Sequence, residues 1–337
     1  MRAAVWMGPE TVQYTEVERP VPSEGQVLIK VAYAGICGTD LTIYLGKHPR
    51  ARAPLIMSHE FSGTVAEDPS GTFPQGTLVT VNPLLTCGQC YACRHGNAHI
   101  CDHLGLVGID MNGGFAEYVV VPLHTVRPLP PGLTLQRAAL VEPLAVAVHA
   151  VSVSDLRVGD VTAVLGAGPV GLLTAQMARV AGAVHVMVSE VSPRRLSIAR
   201  DLGFDVIDAT KVDPVQQILA ATDGVGVPVA FETAGTQATV AQAGAVARSG
   251  GQILQVGMPK APVSIDLTPL MFREVRRTPI RVYREVDVTK AIVLAALGAV
   301  DLDKPVTHIL PLAELGRALE LAHAATDACK LLLAPSI

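Results

Sequence analysis

Cys87, Cys90, Cys93 and Cys101 follow a C-x2-C-x2-C-x7-C spacing, dense enough for four thiolates to close around one ion. Such a set suits a tetrahedral Zn2+ in a closed structural site. The rival is an iron–sulfur cluster. The bacterial ferredoxin run opens with the same two spacings but continues with x3 and a proline. Here the third gap is seven and Asp102 follows, so the spacing predicts zinc. His95, His99 and His103 share this stretch. With four sulfurs already in the shell, they are expected to be solvated loop residues.

A second pattern is Gly166-Ala167-Gly168-Pro169-Val170-Gly171, a G-x-G-x-x-G turn between an apolar strand and a helix. Gly166 permits the tight turn, Gly168 lets backbone approach a pyrophosphate, and Gly171 lets helix and strand pack closely. Pro169 suits the first helical turn, where its missing N–H has no partner to lose. The free N–H groups at that helix start would hold the pyrophosphate. Glu190 closes the next strand, where an acid accepts from both ribose hydroxyls and repels a 2′-phosphate. That favours NAD over NADP, although Arg194 and Arg195 are of the type a 2′-phosphate needs.

Three further segments carry chemistry only if they meet. Cys37 sits in the turn Gly35-Ile36-Cys37-Gly38-Thr39-Asp40, His59 in Ser58-His59-Glu60, and Glu142 in Val141-Glu142-Pro143. Singly, Cys37 reads equally as a small buried hydrophobe, and His59 as an ordinary loop histidine. Glu142 reads as an acid at a helix start. Composition and spacing do not join them.

The elements that must position these residues change character along the chain. Residues 27–33, 61–66, 78–81 and 116–121 are short apolar runs between Gly and Pro, which predicts a β-rich first part. After Pro143 strands and helices alternate: 161–165, 169–181, 184–189, 193–202, 205–207, 215–221, 227–231, 237–247 and 252–256. That alternation predicts a parallel sheet covered on both faces. From about Val286, helix, strand, helix and a last strand at 330–334 are expected.

Of the 337 residues, 50% are hydrophobic and 17% charged, with a formal net charge of −4. This excludes a disordered chain. The absence of a basic stripe argues against nucleic acid. Residues 161–178 are uncharged but broken by Gly166, Gly168, Pro169 and Gly171, so no membrane span is expected. The first residues do not read as a signal peptide. A cytoplasmic protein with reduced thiols is expected. The low charge fraction suggests surface buried between subunits.

Taken together, G-I-C-G-T-D, Ser58-His59-Glu60, the four-cysteine run, E-P-L-A-V-A-V-H-A, G-A-G-P-V-G and C-K-L-L-L-A-P occur in one order along the whole chain. In this the sequence resembles the zinc-dependent medium-chain alcohol dehydrogenases, nearest to the sorbitol, threonine and butanediol dehydrogenase branch. The resemblance implies an α/β fold: a GroES-like β-rich catalytic domain over 1–147 and 286–337, with a Rossmann doubly wound parallel sheet over 148–285. It implies two zinc ions per chain, the structural one held by the four cysteines. Cys37 and His59 match two catalytic-zinc ligands, and Glu60 and Glu142 both qualify to complete the shell. The family points to Glu60 as the resting ligand and Glu142 as holding water or exchanging with it. Thr39 matches the hydroxyl that bonds the substrate oxygen, and Asp40 the acid that orients His59. Gly166, Gly168, Pro169, Val170, Gly171, Glu190 and Arg195 would hold NAD. Lys330 is a weaker match to a residue reaching the cofactor phosphates.

Two departures stand out. Ser58 replaces the usual glycine before His-Glu, and Thr42 stands where many members carry a proton-relay histidine. The relay then runs through His48 or through ribose and solvent.

The resemblance implies hydride transfer between a secondary alcohol or polyol and NAD, in a homodimer or homotetramer. The alternatives are an NADP-linked aldehyde or ketone reductase of the same fold and a non-catalytic dinucleotide-binding protein. The ligand set at Cys37, His59 and a carboxylate argues against the latter, since a binder has no need of it. Tyr44, Leu45, Ile109, Met111 and Tyr283 are expected near the substrate.

Overall fold

The computed structural model describes residues 1–324 and 327–336. The chain forms two compact units. The first comprises Met1–Glu142, Arg284–Gly298 and the C-terminal stretch from Val306; the second comprises Pro143–Tyr283 and Ala299–Pro305. Expected limits of 148–285 for the second unit thus become 143 and 283, with an added return segment. That segment is held by Gln176, whose amide donates to Asp301 O at 3.0 Å and accepts from Asp301 N at 2.6 Å. Lys304 Nζ adds a bond to Asp201 O at 3.0 Å.

In the first unit, Gln26–Gly35 pairs antiparallel with Glu60–Glu67, Tyr118–Pro122 and Lys330–Ala334. The sheet runs on to Leu78–Val81 and Val126–Pro128 on one side and Val306–Pro311 on the other. Arg2–Gly8 and Thr11–Glu16 form a hairpin not anticipated above, joined by Leu55–Ile56. Val27, Leu28, Ile29, Phe61, Val65 and Val79 of the main sheet are buried.

In the second unit six strands are all parallel, in the order Asp205–Asp208, His185–Glu190, Val161–Leu165, Val227–Glu232, Ala247–Gln255, Arg276–Pro279. This is the 3-2-1-4-5-6 order of the doubly wound dinucleotide fold. Strands buried on both faces read as near-continuous apolar runs, as Val161–Leu165 does. Its one polar residue, Thr162, is satisfied by donating to Val229 O at 2.7 Å. Ala163, Leu165, Met187, Ile218, Ala230 and Ile253 share one core cluster. Among the described residues no helix is long and apolar enough to cross a membrane; residues 161–178 divide between the strand Val161–Leu165 and the helix Pro169–Val180.

Candidate active site and cofactor loop

Gly35 lies opposite Glu60 in the central strand pair. That register carries the turn after Gly35, with Cys37 at the start of the helix Gly38–Tyr44, against the His59-Glu60 step. One donor atom each from Cys37, His59 and Glu60 lies within 4.8 Å of the others. His59 is 4% exposed, and its Nδ1 has no hydrogen-bond partner. A buried polar atom left so is costly. Thiolate, imidazole and carboxylate around one point form a donor set for a catalytic zinc. The residues fit the ion.

Glu142 opens the helix Val141–Ser152 and is buried. It is not in the three-residue cluster, yet its charge acts on both His59 and Lys330. Burial alone would push the His59 imidazole down, but Cys37, Asp40 and Glu142 hold it well above its ordinary value. Negative charge from Cys37, Asp40 and Glu142 thus acts on the His59 ring.

Lys330 is the residue that sequence reasoning misplaced. Far from reaching toward a cofactor, its ammonium is 1% exposed, paired with Glu60 Oε2 and donating to Ile36 O at 2.9 Å. Burial pushes its pKa down, but Glu60, Cys37 and Glu142 outweigh this and leave it raised. A Cβ at Gly35 would run into Glu60 Oε2 and the end of Lys330, so a larger residue there would displace the pair. The available signal was one lysine inside an apolar strand, Lys330–Ala334, since a lysine is almost never fully buried without a partner.

Asp40 acts through the backbone. Its Oδ2 accepts from Cys37 N at 2.8 Å and its Oδ1 from Ser58 N at 3.2 Å. One buried carboxylate thus holds both ligand-bearing loops, and its influence on the His59 ring is electrostatic. Ser58 explains its departure from glycine: its φ is +76°, in the left-handed region that disfavours a side chain. The serine hydroxyl offsets this by donating to Gly35 O at 3.0 Å.

Thr39 Oγ1 stands 3.8 Å from Cys37 Sγ. Thr42 turns its hydroxyl back onto Gly38 O at 3.1 Å. His48 Nδ1 accepts from Arg50 N at 3.3 Å and Ala51 N at 3.1 Å, leaving Nε2 as the nitrogen able to carry a proton. Burial, then Arg50, pushes its pKa below the usual imidazole value.

The four-cysteine lobe is closed. Cys87 and Cys101 sulfurs are 3.4 Å apart, Cys90 and Cys101 3.8 Å, and Cys87 and Cys93 4.0 Å. A zinc tetrahedron with 2.3 Å bonds has edges of about 3.8 Å. Backbone N–H groups of Cys90 and His103 donate to Cys87 and Cys101 sulfurs at 3.4 and 3.3 Å. Such bonds from Gln89 and Cys90 bring the Cys87 thiol down to about 6. His95 and His103 are exposed as expected, but His99 is buried at 8% exposure in the short turn Ala98–Ile100. We expect Cys93→Ser to lower Tm by about 10 °C while kcat per folded molecule stays within about threefold, because a closed site contributes folding energy. Calorimetry and active-site titration check this; iron with a visible absorption band would exclude zinc.

In the second unit Gly166 adopts φ +108°, and a Cβ at Gly171 would strike Gly166 O and Thr233 Oγ1. A Cβ at Gly168 would meet nothing within 4 Å, which leaves room over the helix start for a phosphate. Pro169 and Val170 begin the helix Pro169–Val180 behind Gly168. Glu190 is buried, its Oε2 accepting from Ala167 N at 2.8 Å and its Oε1 from Val191 N at 2.7 Å and Ser192 N at 3.0 Å. It therefore ties the glycine loop to the end of its own strand. Arg195 approaches the same carboxylate at 4.0 Å.

A Rossmann unit with an open glycine loop, and a β-rich unit with a three-donor cluster and a four-thiol lobe, define a zinc- and nicotinamide-dependent oxidoreductase. Comparison with known proteins agrees. The family model "Alcohol dehydrogenase GroES-like domain" matches residues 23–131, and "Zinc-binding dehydrogenase" matches residues 169–296. The chain is 36% identical to 2-dehydro-3-deoxy-L-galactonate 5-dehydrogenase of Pseudoalteromonas atlantica over 94% of each chain. It is 35% identical to L-threonine 3-dehydrogenase of Bacillus velezensis over 90% of each. A crystal structure from Sinorhizobium meliloti 1021, of a protein assigned as a zinc-binding dehydrogenase and bound to NADP, matches with a TM-score of 0.94, 32% identity and 99% coverage of both chains. The chain belongs to the zinc-dependent medium-chain dehydrogenase family and is an oxidoreductase.

Proposed function

We propose that the protein oxidises a secondary hydroxyl of a small, oxygen-rich molecule with NAD, using one catalytic and one structural zinc per chain. The observation that carries this is the Cys37–His59–Glu60 cluster. A carboxylate in place of a second thiolate gives a harder site suited to adjacent oxygens. The two curated relatives support it: both named substrates bear a hydroxyl at the oxidised position, further polar groups and a carboxylate.

When bound, zinc supplies a Lewis acid that lowers the pKa of an alcohol, and the nicotinamide takes up hydride. The chain's residues do the rest. Cys37, His59 and Glu60 hold the metal, and Asp40 fixes both loops that carry them. Lys330 holds one Glu60 oxygen and sets where that carboxylate lies. Thr39 offers Oγ1 as acceptor for the substrate hydroxyl. Glu142 adds negative charge beside His59, favouring cation over vacancy. A screen of polyols, sugar acids and simple primary alcohols with NAD, together with metal analysis, tests the reading. Two zinc ions per chain and preference for the oxygen-rich compounds are expected; one zinc, or preference for long aliphatic alcohols, would overturn it.

Cofactor choice rests on Glu190. NAD is expected to give the higher kcat/KM, because a 2′-phosphate would approach a carboxylate. Glu190→Ala should lower kcat/KM for NAD by about 10- to 100-fold, since charge-assisted bonds to the glycine loop and ribose are worth about 1.5–3 kcal/mol. NADP should lose less, so the preference narrows. A wild-type enzyme more efficient with NADP would favour the reductase reading, to which the NADP-bound neighbour lends weight.

Self-association is the partner reading. Arg276–Pro279 is an edge strand, and just before it Leu267, Met271 and Phe272 are 60%, 75% and 86% exposed. An open strand edge beside an apolar patch is a template for a second copy. Phe272→Asp combined with Met271→Asp should shift the mass in light scattering to that of a single chain.

A further inference from the structure

In the parallel sheet of the second unit, the strand order reverses between Val161–Leu165 and its neighbour Val227–Glu232. In doubly wound sheets the ligand crevice opens at that point, outside the carboxyl ends of the strands. One wall is the glycine loop after Leu165. The other is the turn Thr233-Ala234-Gly235, which follows Glu232 and leads to the helix Gln237–Val246. A second buried carboxylate, distinct from Glu190, holds that wall.

Glu232 is 0% exposed. Its Oε1 accepts from Ala234 N at 2.9 Å and Gly235 N at 2.8 Å, so the carboxylate fixes the turn by its backbone. Its Oε2 accepts from Gln255 Nε2. The same Gln255 nitrogen donates to Gly257 O at 2.6 Å, and Gln255 Oε1 accepts from Arg277 on the edge strand. Two acceptors on one side of the amide and a guanidinium on the other leave it a single orientation. A buried carboxylate is costly unless it is paired or hydrogen-bonded. Here three N–H groups supply the bonds, and Arg277 supplies a cation one amide away.

Thr233 fastens this turn to the glycine loop. Its N donates to Leu165 O at 3.0 Å, and its hydroxyl is shared between Leu165 O at 3.0 Å and Gly166 O at 2.9 Å. The glycine loop is thus held from both neighbouring strands. Glu190 accepts from Ala167 N on one side, and Thr233 donates to Gly166 O on the other.

We propose that Glu232 is a positioning residue for the dinucleotide: it sets the turn 233–235, and through Thr233 the glycine loop, in the shape that receives the cofactor. This rests on the cofactor part of the function proposed above and not on its alcohol substrate. Walls ordered in advance spare the cofactor the cost of ordering them. Dinucleotide affinity therefore depends on a side chain sealed from the crevice.

Glu232→Gln tests this with little change of shape. Its carbonyl oxygen can still accept from Ala234 N and Gly235 N, but its NH2 group then faces that of Gln255. Exchanging the two, Glu232→Gln with Gln255→Glu, restores a donor opposite an acceptor and puts the charge beside Arg277, at the loss of the Gly257 O bond. Thr233→Val removes the hydroxyl alone. NADH and NADPH are titrated by fluorescence into the zinc-loaded full chain without substrate, and Tm is measured by calorimetry. Glu232→Gln should raise Kd for the preferred dinucleotide about 10- to 100-fold, the scale of a buried polar group left without its partner. Thr233→Val should raise it about 3- to 10-fold, and the exchange should bind better than Glu232→Gln alone. Ile218→Val, in the core cluster of the same unit, should lower Tm and leave Kd unchanged, which separates lost stability from lost positioning. Wild-type affinity in Glu232→Gln or in Thr233→Val overturns the inference. So does an exchange that binds no better than Glu232→Gln, or an equal loss in Ile218→Val. Should Glu232→Gln fail to fold, Thr233→Val and the exchange decide. If no alcohol is oxidised but Kd follows the expected pattern, the inference stands and the dehydrogenase reading fails. If polyols are oxidised with NAD while Glu232→Gln binds NADH as wild type does, the inference alone fails. A wild type that binds neither dinucleotide overturns both.

Discussion

Glu60→Ala is expected to lose about one zinc per chain and essentially all turnover, whereas Glu142→Ala is expected to keep its zinc and lose about 10- to 100-fold in kcat. The asymmetry follows from geometry. Glu60 contributes an oxygen within 4.8 Å of the Cys37 and His59 donor atoms, whereas Glu142 is not part of that cluster and acts on His59 through its charge. Removing a ligand takes the metal with it; removing an outer partner leaves the metal but alters its surroundings. Glu60→Ala also strands the Lys330 ammonium, so Glu60→Gln is the better companion variant. It keeps an oxygen for Lys330 and removes the negative charge that zinc requires. Zinc content by atomic emission and kcat for all three variants decide the matter. Full zinc in both Glu60 variants together with loss in Glu142→Ala would reverse the two roles.

The second large effect is expected at Lys330. Lys330→Met leaves the Glu60 carboxylate buried at 2% exposure without its cation. Removing one partner of a buried ion pair costs about 3–5 kcal/mol. The metal-free variant should therefore melt well below metal-free wild type. Zinc should recover most of the difference, because Glu60 then faces a divalent cation instead of nothing. Tm measured with and without zinc gives the readout: the zinc-induced rise should be larger in Lys330→Met than in wild type. Equal rises would mean that Lys330 and zinc do not share Glu60. The pair has a pH signature of the usual sense for a raised lysine. Its stabilisation is present below the ordinary lysine pKa and is lost as pH rises through the higher folded value.

Much of this protein was legible in the linear sequence because the relevant contacts are local. Four cysteines between positions 87 and 101 can reach one ion whatever the rest of the chain does. The glycine loop is one turn between one strand and one helix, and the alternation after Pro143 forces a parallel sheet. Between 161 and 246 the strands and helices of the second unit accordingly fall within a residue or two of their expected limits; Ala247–Gln255 starts earlier than expected, and the helix Thr268–Phe272 and edge strand Arg276–Pro279 were not anticipated. The N-terminal hairpin escaped because its second strand, Thr11–Glu16, buries no side chain fully and so lacks a core-facing apolar pattern.

The site around Cys37 is of the other kind. Its parts lie near positions 37, 59 and 330, and only sheet register joins them, with Gly35 opposite Glu60 on one side and Leu332 on the other. By itself the sequence determined that Cys37, His59, Glu60 and Glu142 were candidates, and resemblance supplied their grouping. Tertiary structure decided that Glu60 belongs to the cluster and that Lys330 is its buried partner. It also decided that Asp40 works through two backbone N–H groups and that Ser58 occupies a glycine conformation. Glu190 shows the same division: its place at a strand end was readable, but its bonds to Ala167, Val191 and Ser192 were not. The physical reason is that residue type and spacing specify what a side chain can do. Which partner it meets is set by strand register and burial, and these arise only when distant segments pack.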